Sequence, residues 1–168
     1  MILGLFGALQ LLLALRVIFR FVRTAGGDRI EVSNESRREQ VSVILPVLNE
    51  AARIQACLEC LVAQTEAVKE ILVVDGGSTD GTQSMVAQYQ SRDRRVRLVD
   101  ANPVPSDWTG KTWGLYLGFK NSDARSEWVL CIDANVRCSP LLVCSLLAHA
   151  ERTGISTFSV ATRQLLSG

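Results

Sequence analysis

Twice in this chain a run of apolar, strand-prone residues stops abruptly on a carboxylate. Ile71-Leu72-Val73-Val74-Asp75 leads into Gly76-Gly77-Ser78-Thr79-Asp80-Gly81, and Trp128-Val129-Leu130-Cys131-Ile132-Asp133 leads into Ala134-Asn135. Helical patterns separate such runs, and strands alternating with helices build a parallel α/β sheet. In open sheets of that kind ligands sit outside the carboxyl ends of the strands. Asp75 and Asp133 are therefore expected to meet on one rim.

The remaining pattern supplies the other elements. Val41-Ser42-Val43-Ile44-Leu45 reads as a strand stopped by Pro46, which cannot donate to a central ladder. Asn49 is placed to cap a helix whose apolar positions are Ile54, Cys57, Leu58, Leu61 and Val62. Strand 70–74, helix 82–89 with Met85, Val86 and Tyr89 inward, and strand 96–99 follow. A Pro-punctuated loop over 102–110 precedes helix 111–120. Strand 128–132, helix 140–150 and strand 157–161 complete the reading. Nothing after residue 161 resembles a capping helix, so the chain is expected to be incomplete at its C-terminus.

The first 23 residues read differently. Gln10 is the one strongly polar side chain between Met1 and Leu15, and apolar character continues to Val22. At ~1.5 Å per residue that length is about 33 Å, enough for a bilayer. Arg16, Arg20, Arg23 and Arg29 follow the run and favour a cytoplasmic remainder. The expectation is a single-pass anchor over 1–23 at the cell membrane, with a peripheral interfacial helix as the alternative. A polar linker over 24–40 and a domain over 41–168 come after it. The formal net charge of +1 gives no global pull toward nucleic acid. The five cysteines sit in apolar patterns, which suits free thiols in a reducing compartment. Cys57-Leu58-Glu59-Cys60 has the spacing of a redox or half-zinc motif, but it lies within a helical pattern and reads as core packing.

Four polar clusters are candidates for chemistry. Pro46-Val47-Leu48-Asn49-Glu50 puts a helix N-terminus at the rim, although an ordinary capped helix looks the same. Asp75 to Gly81 combines flexible backbone with two acids that can accept hydrogen bonds from base or sugar groups, against the plainer reading of a tight turn. Asp107-Trp108-Thr109-Gly110-Lys111-Thr112-Trp113 imitates the end of a phosphate loop, yet Pro105 stands where that motif needs glycine. Lys111 at a helix start can still reach a phosphate. Asp133-Ala134-Asn135 offers oxygen ligands to a hard cation, or forms a self-bonded turn. His149 has no partner at metal or triad spacing, and Ser78 and Ser139 lack a nucleophile elbow.

In this order the clusters resemble the inverting family 2 glycosyltransferases with the GT-A fold. Val41 to Glu50 looks like the family's opening signature, and Val73 to Thr82 is similar to its nucleoside-binding turn. Glu127-Trp128 before Asp133 resembles the approach to its Asp-x-Asp motif, while Asp107 to Lys111 is similar to the membrane-associated branch that glycosylates carotenoids, hopanoids and related lipids. The resemblance implies an α/β, Rossmann-like, mostly parallel sheet flanked by helices. It implies a nucleotide-sugar donor, UDP-linked in the first instance, with Pro46, Asn49, Glu50, Asp75 and Asp80 around the nucleoside and Asp75 facing the base. Lys111 would lie near the base or diphosphate, and Asp133 near the ribose and sugar. Asp133 and Asn135 would hold a divalent cation, Mg²⁺ or Mn²⁺, though Asn135 departs from the second Asp of the motif. The acceptor would be a hydroxyl on a membrane-associated lipid, carotenoid or glycan. In the family the general base follows the Asp-x-Asp region by many tens of residues, so it is expected beyond Gly168. A non-catalytic nucleotide-sugar-binding module and a purely structural α/β domain remain the alternatives.

Overall fold

The computed structural model describes the backbone of residues 2–25, 29–35 and 41–160, and the side chains of those spans except 2–6, 8 and 21–25. The chain divides into two compact units, Met1–Ile30 and Glu31–Gly168. The first holds one helix, α1 (Ile2–Ala25). Among the described residues no helix is long and apolar enough to cross a membrane; the anchor expected over 1–23 lies partly outside the residues whose side chains are described. Its described side chains, among them Leu11, Leu12, Val17 and Phe19, stand exposed. The expected linker over 24–40 falls partly outside the described residues, at 26–28 and 36–40.

In the second unit the elements run β1 (Val41–Val47), α2 (Ala51–Val62), β2 (Val68–Asp75), α3 (Thr82–Gln90), β3 (Val96–Asp100), α4 (Gly110–Asn121), β4 (Trp128–Cys131) and α5 (Leu142–Thr153). The four strands form one parallel sheet in the order β3-β2-β1-β4. Successive side chains of a strand point to opposite faces, and the core divides accordingly. Val43 and Leu45 of β1 and Ile71 and Val73 of β2 pack against Ile54, Leu58 and Leu61 of α2, Val86 and Tyr89 of α3, and Val143 and Leu147 of α5. Ile44, Leu72 and Val74 form the other layer with Ala101, Val99 and the α4 residues Trp113, Leu115 and Leu117. Each fully buried Val, Leu or Ile contributes roughly 1.5–3 kcal/mol.

Helix α4 lies unusually close to the sheet. A Cβ added at Gly114 would stand 3.0 Å from Pro46 Cβ, and one at Gly118 would stand 2.3 Å from Ile44 Cγ2. These two glycines, one helical turn apart, let the helix backbone approach β1 and fix where its N-terminal Lys111 arrives.

Two expectations about strands are corrected. β1 does not stop at Pro46 but runs through it to Val47. Val47 O accepts from Gly76 N on the β2 side, whereas Ile44 O accepts from Ile132 N on the β4 side. Pro46 shares the orientation of Ile44, and the β1–β4 register ends at Ile44↔Cys131, so its missing N–H breaks no rung. The expected strand over 157–161 is not formed in its described part: 157–160 has no regular structure and residue 161 lies outside the described set. Here the apolar alternation had no neighbouring strand to satisfy it, because β4 is the edge of the sheet among the described residues.

Candidate functional site

Parallel registration brings the carboxyl ends of β1 and β2 level, with Val47 opposite Asp75. The turns after these strands are locked together by polar contacts. Asn49 adopts φ 55°, a left-handed conformation that Asn tolerates better than most residues. Its N–H donates to Ser78 Oγ at 2.8 Å and its Oδ1 accepts from Thr79 N at 2.9 Å. Asn49 thus bridges to the neighbouring turn instead of capping α2, whose N-cap position belongs to Glu50. The cap is supplied from across the rim: Asp80 Oδ2 accepts from Ala51 N at 2.9 Å, and Thr82 Oγ1 accepts from Glu50 N at 2.9 Å. Asp80 Oδ1 also accepts from Thr82 N at 3.1 Å and Thr82 Oγ1 at 2.6 Å. The Thr82 and Ala51 donors hold its carboxyl below the usual range.

Asp75 sits beneath this turn, only 1% exposed. Its carboxylate accepts from Ser78 N at 3.0 Å, from the Ser78 hydroxyl, and from Gln83 Nε2 at 2.5 Å. Removing it loses hydrogen bonds from the half-buried Ser78 and from the exposed Gln83 amide to a charged acceptor, together worth about 1.5–3 kcal/mol. Asp75→Ala should therefore lower the unfolding free energy by roughly 2 kcal/mol in urea titration, and an unchanged midpoint would show that the turn does not depend on this carboxylate.

Above the turns lies an open cleft of about 310 Å³, lined by Pro46, Val47, Leu48, Glu50, Arg53, Gly76, Gly110, Lys111, Asp133, Ala134 and Asn135. Five sequence-predicted residues meet there: Pro46, Glu50, Lys111, Asp133 and Asn135. Asn49, Asp75 and Asp80 do not line it and instead hold its wall. Lys111 Nζ pairs with Asp133 Oδ1 at 2.7 Å, both side chains being more than half exposed. Arg53 pairs with Glu50 at 3.2 Å. Arg53 was missed in the sequence, although its place three residues after Glu50 on a helix put both on one face. The cleft also receives the start of α4, where Thr109 caps through Thr112 N and the first-turn N–H groups carry positive partial charge.

A second and larger hollow, about 760 Å³, runs along β4 and shares Lys111 and Asp133 with the first. Its other walls are mostly apolar, including Trp128, Leu130, Leu142, Leu146 and Phe158. His149 is buried on α5, its Nδ1 3.2 Å from an Arg152 Nη, which suits the structural part expected of it.

Among the described residues no group of three or more His, Cys, Asp or Glu could hold a metal. Asp133 and Asn135 offer one charged and one neutral oxygen, and Lys111 already faces Asp133. This donor set fits a hard cation only together with oxygens brought by a ligand, as Mg²⁺ commonly binds through one or two carboxylates plus substrate phosphates.

The family model described as Glycosyl transferase family 2 matches residues 42–164, the span that builds the sheet and this rim. The chain belongs to that family. Among relatives of this family-2 chain, the succinoglycan biosynthesis protein ExoA of Rhizobium meliloti is 36% identical over 143 residues, which are 77% of this chain and 42% of ExoA. The glycosyltransferase AglE of Haloferax volcanii is 35% identical over 77 residues, 45% of this chain and 25% of AglE. The chain thus spans well under half the length of these curated relatives. The mannosyltransferase PcManGT of Pyrobaculum calidifontis, solved with GDP-Man and Mn²⁺, shares the fold with a TM-score of 0.59 at 23% identity, over 81% of this chain and 39% of PcManGT. The α/β arrangement of a parallel sheet flanked by helices is common to this family-2 chain and that solved neighbour.

Proposed function

We propose that this chain provides the donor side of a transferase that moves a sugar from a nucleotide-diphosphate carrier, UDP-linked in the first instance, to an acceptor hydroxyl with inversion. The observation that carries the reading is the polar cleft at the strand carboxyl ends, where Lys111 and the α4 N-terminus face the Asp133 turn. Helix N-termini and lysines together bind phosphate. A diphosphate placed there draws Lys111 from Asp133 and spreads its departing charge over the ammonium and the helix dipole. A cation bound with the donor supplies further charge neutralisation, with Asp133 and Asn135 as its protein oxygens. Pro46 and Glu50 contact the nucleoside, while Asn49, Asp75 and Asp80 act as positioning residues that hold the two turns together.

The acceptor in this reading is a membrane-associated lipid, carotenoid or glycan, its hydroxyl activated by a carboxylate base from the part of the family domain outside this chain. The exposed apolar side chains of α1 support a peripheral place at the cytoplasmic face of a membrane. Calorimetric titration of the folded chain with UDP, with and without Mn²⁺, tests the donor assignment. Saturable heat at a single site is expected. Absence of heat under both conditions, on protein whose circular dichroism is native, would overturn it.

A further inference from the structure

Away from the polar cleft, two thiols from distant parts of the chain come together where α2 meets the loop after β4. Cys60 Sγ lies 2.7 Å from Cys138 Sγ, 78 residues on, and Cys138 N donates to Cys60 Sγ at 3.2 Å. Both cysteines are half-buried and so remain open to small reagents, whereas Cys57 and Cys144 are buried. The surrounding contacts hold the two elements in place. Gln64, itself buried, donates from Nε2 to Ser139 O at 2.7 Å and accepts at Oε1 from Val143 N at 3.1 Å. A disulfide requires an S–S separation of about 2.05 Å, so closing this pair asks for a shift of under about 1 Å. A metal is the weaker explanation for gathered thiols, because no cluster among the described residues has the ligands to hold one.

We propose that Cys60 and Cys138 form a reversible disulfide that staples α2 to the loop carrying Asp133 and Asn135. The oxidant is a low-molecular-weight disulfide such as oxidised glutathione. Hydrogen bonds from the Cys138 and Cys57 thiols push the Cys60 thiol down to about 3, so Cys60 is the attacking thiolate. It displaces one thiolate from the small disulfide and forms a mixed disulfide. Cys138 then loses its proton and attacks Cys60 Sγ, forming the protein S–S bond and expelling the second thiolate. Two protein thiols are oxidised, one small disulfide is reduced to two thiols, and the two protein protons end on the released thiols.

The test is oxidation of the reduced chain with oxidised glutathione, read by thiol titration, mass spectrometry and melting. Two of the five thiols should disappear, with a mass loss of about 2 Da and no glutathione retained. Tryptic cleavage after Arg53, Lys69, Arg137 and Arg152 leaves Cys57 with Cys60 and Cys138 with Cys144, so the linked pair of peptides is assigned by fragmentation. Cys57→Ser and Cys144→Ser should keep the link, while Cys60→Ser and Cys138→Ser should lose it. The oxidised wild type should melt at a higher temperature, and dithiothreitol should reverse the rise. A stable glutathione adduct on Cys60, five titratable thiols after oxidation, or a link through other cysteines would each overturn the proposal. The wild-type peptide map decides the matter even if a variant fails to fold.

Discussion

Gly118→Val should lower the unfolding free energy by about 3 kcal/mol or more, seen as a lower urea midpoint. The added Cβ alone would stand 2.3 Å from Ile44 Cγ2 and 3.2 Å from Val74 Cγ2, both on residues buried in the sheet. Replacing a mid-helix glycine ordinarily returns up to about 1 kcal/mol of helix propensity. Overlap of this depth outweighs it, because side chains in a close-packed layer have little room to yield. The helix must move outward, carrying Lys111 away from Asp133. Gly118→Ala is the graded version, and pairing it with Ile44→Ala should remove part of its cost, since the two sites share one contact. Strict additivity of that pair would mean the close approach of α4 is not what limits the position.

The second large effect is on ligand binding. Lys111→Ala should weaken UDP binding roughly 10- to 100-fold, the loss of one charge-assisted contact to phosphate. Stability should barely change, because an ion pair this exposed is worth about 0–1 kcal/mol. Asp133→Ala is expected to behave differently with conditions. Without a divalent cation it frees Lys111 for the diphosphate, so UDP affinity should hold or rise. With Mn²⁺ present it removes the one charged oxygen offered to the cation, and the metal-dependent gain in affinity should disappear. Equal UDP affinity for wild type and Lys111→Ala, by calorimetry at matched ionic strength, would remove Lys111 from the diphosphate site.

Much of the fold was legible because burial pattern and strand composition agree. The apolar runs at 70–74 and 128–132 became strands β2 and β4 within two residues at each end, and the helical spacing of Ile54, Leu58 and Leu61 became the buried face of α2. Pro46 misled because the ladder rule depends on which neighbour a residue faces, and that is a property of the sheet, not of the residue. The strand expected at 157–161 failed for a related reason: alternation marks a half-buried surface, but a strand exists only where another supplies its hydrogen bonds. At the site, the acid-rich turns stand out in the sequence, yet sequence could not divide their labour. Asp75 and Asp80 satisfy donors in the rim while Lys111 and Asp133 line the cleft, a division set by how β2, α4 and β4 end around β1. The pairing of Cys60 with Cys138 was equally hidden, since 78 residues separate the two thiols.

The two borders of the sheet are not alike. β3 presents Arg97 and Asp100 along its length, charges that discourage another backbone from docking. β4 instead presents Trp128, Val129, Leu130 and Cys131 beside an apolar hollow. Among the described residues β4 is therefore the border at which a further strand would meet fewer charges.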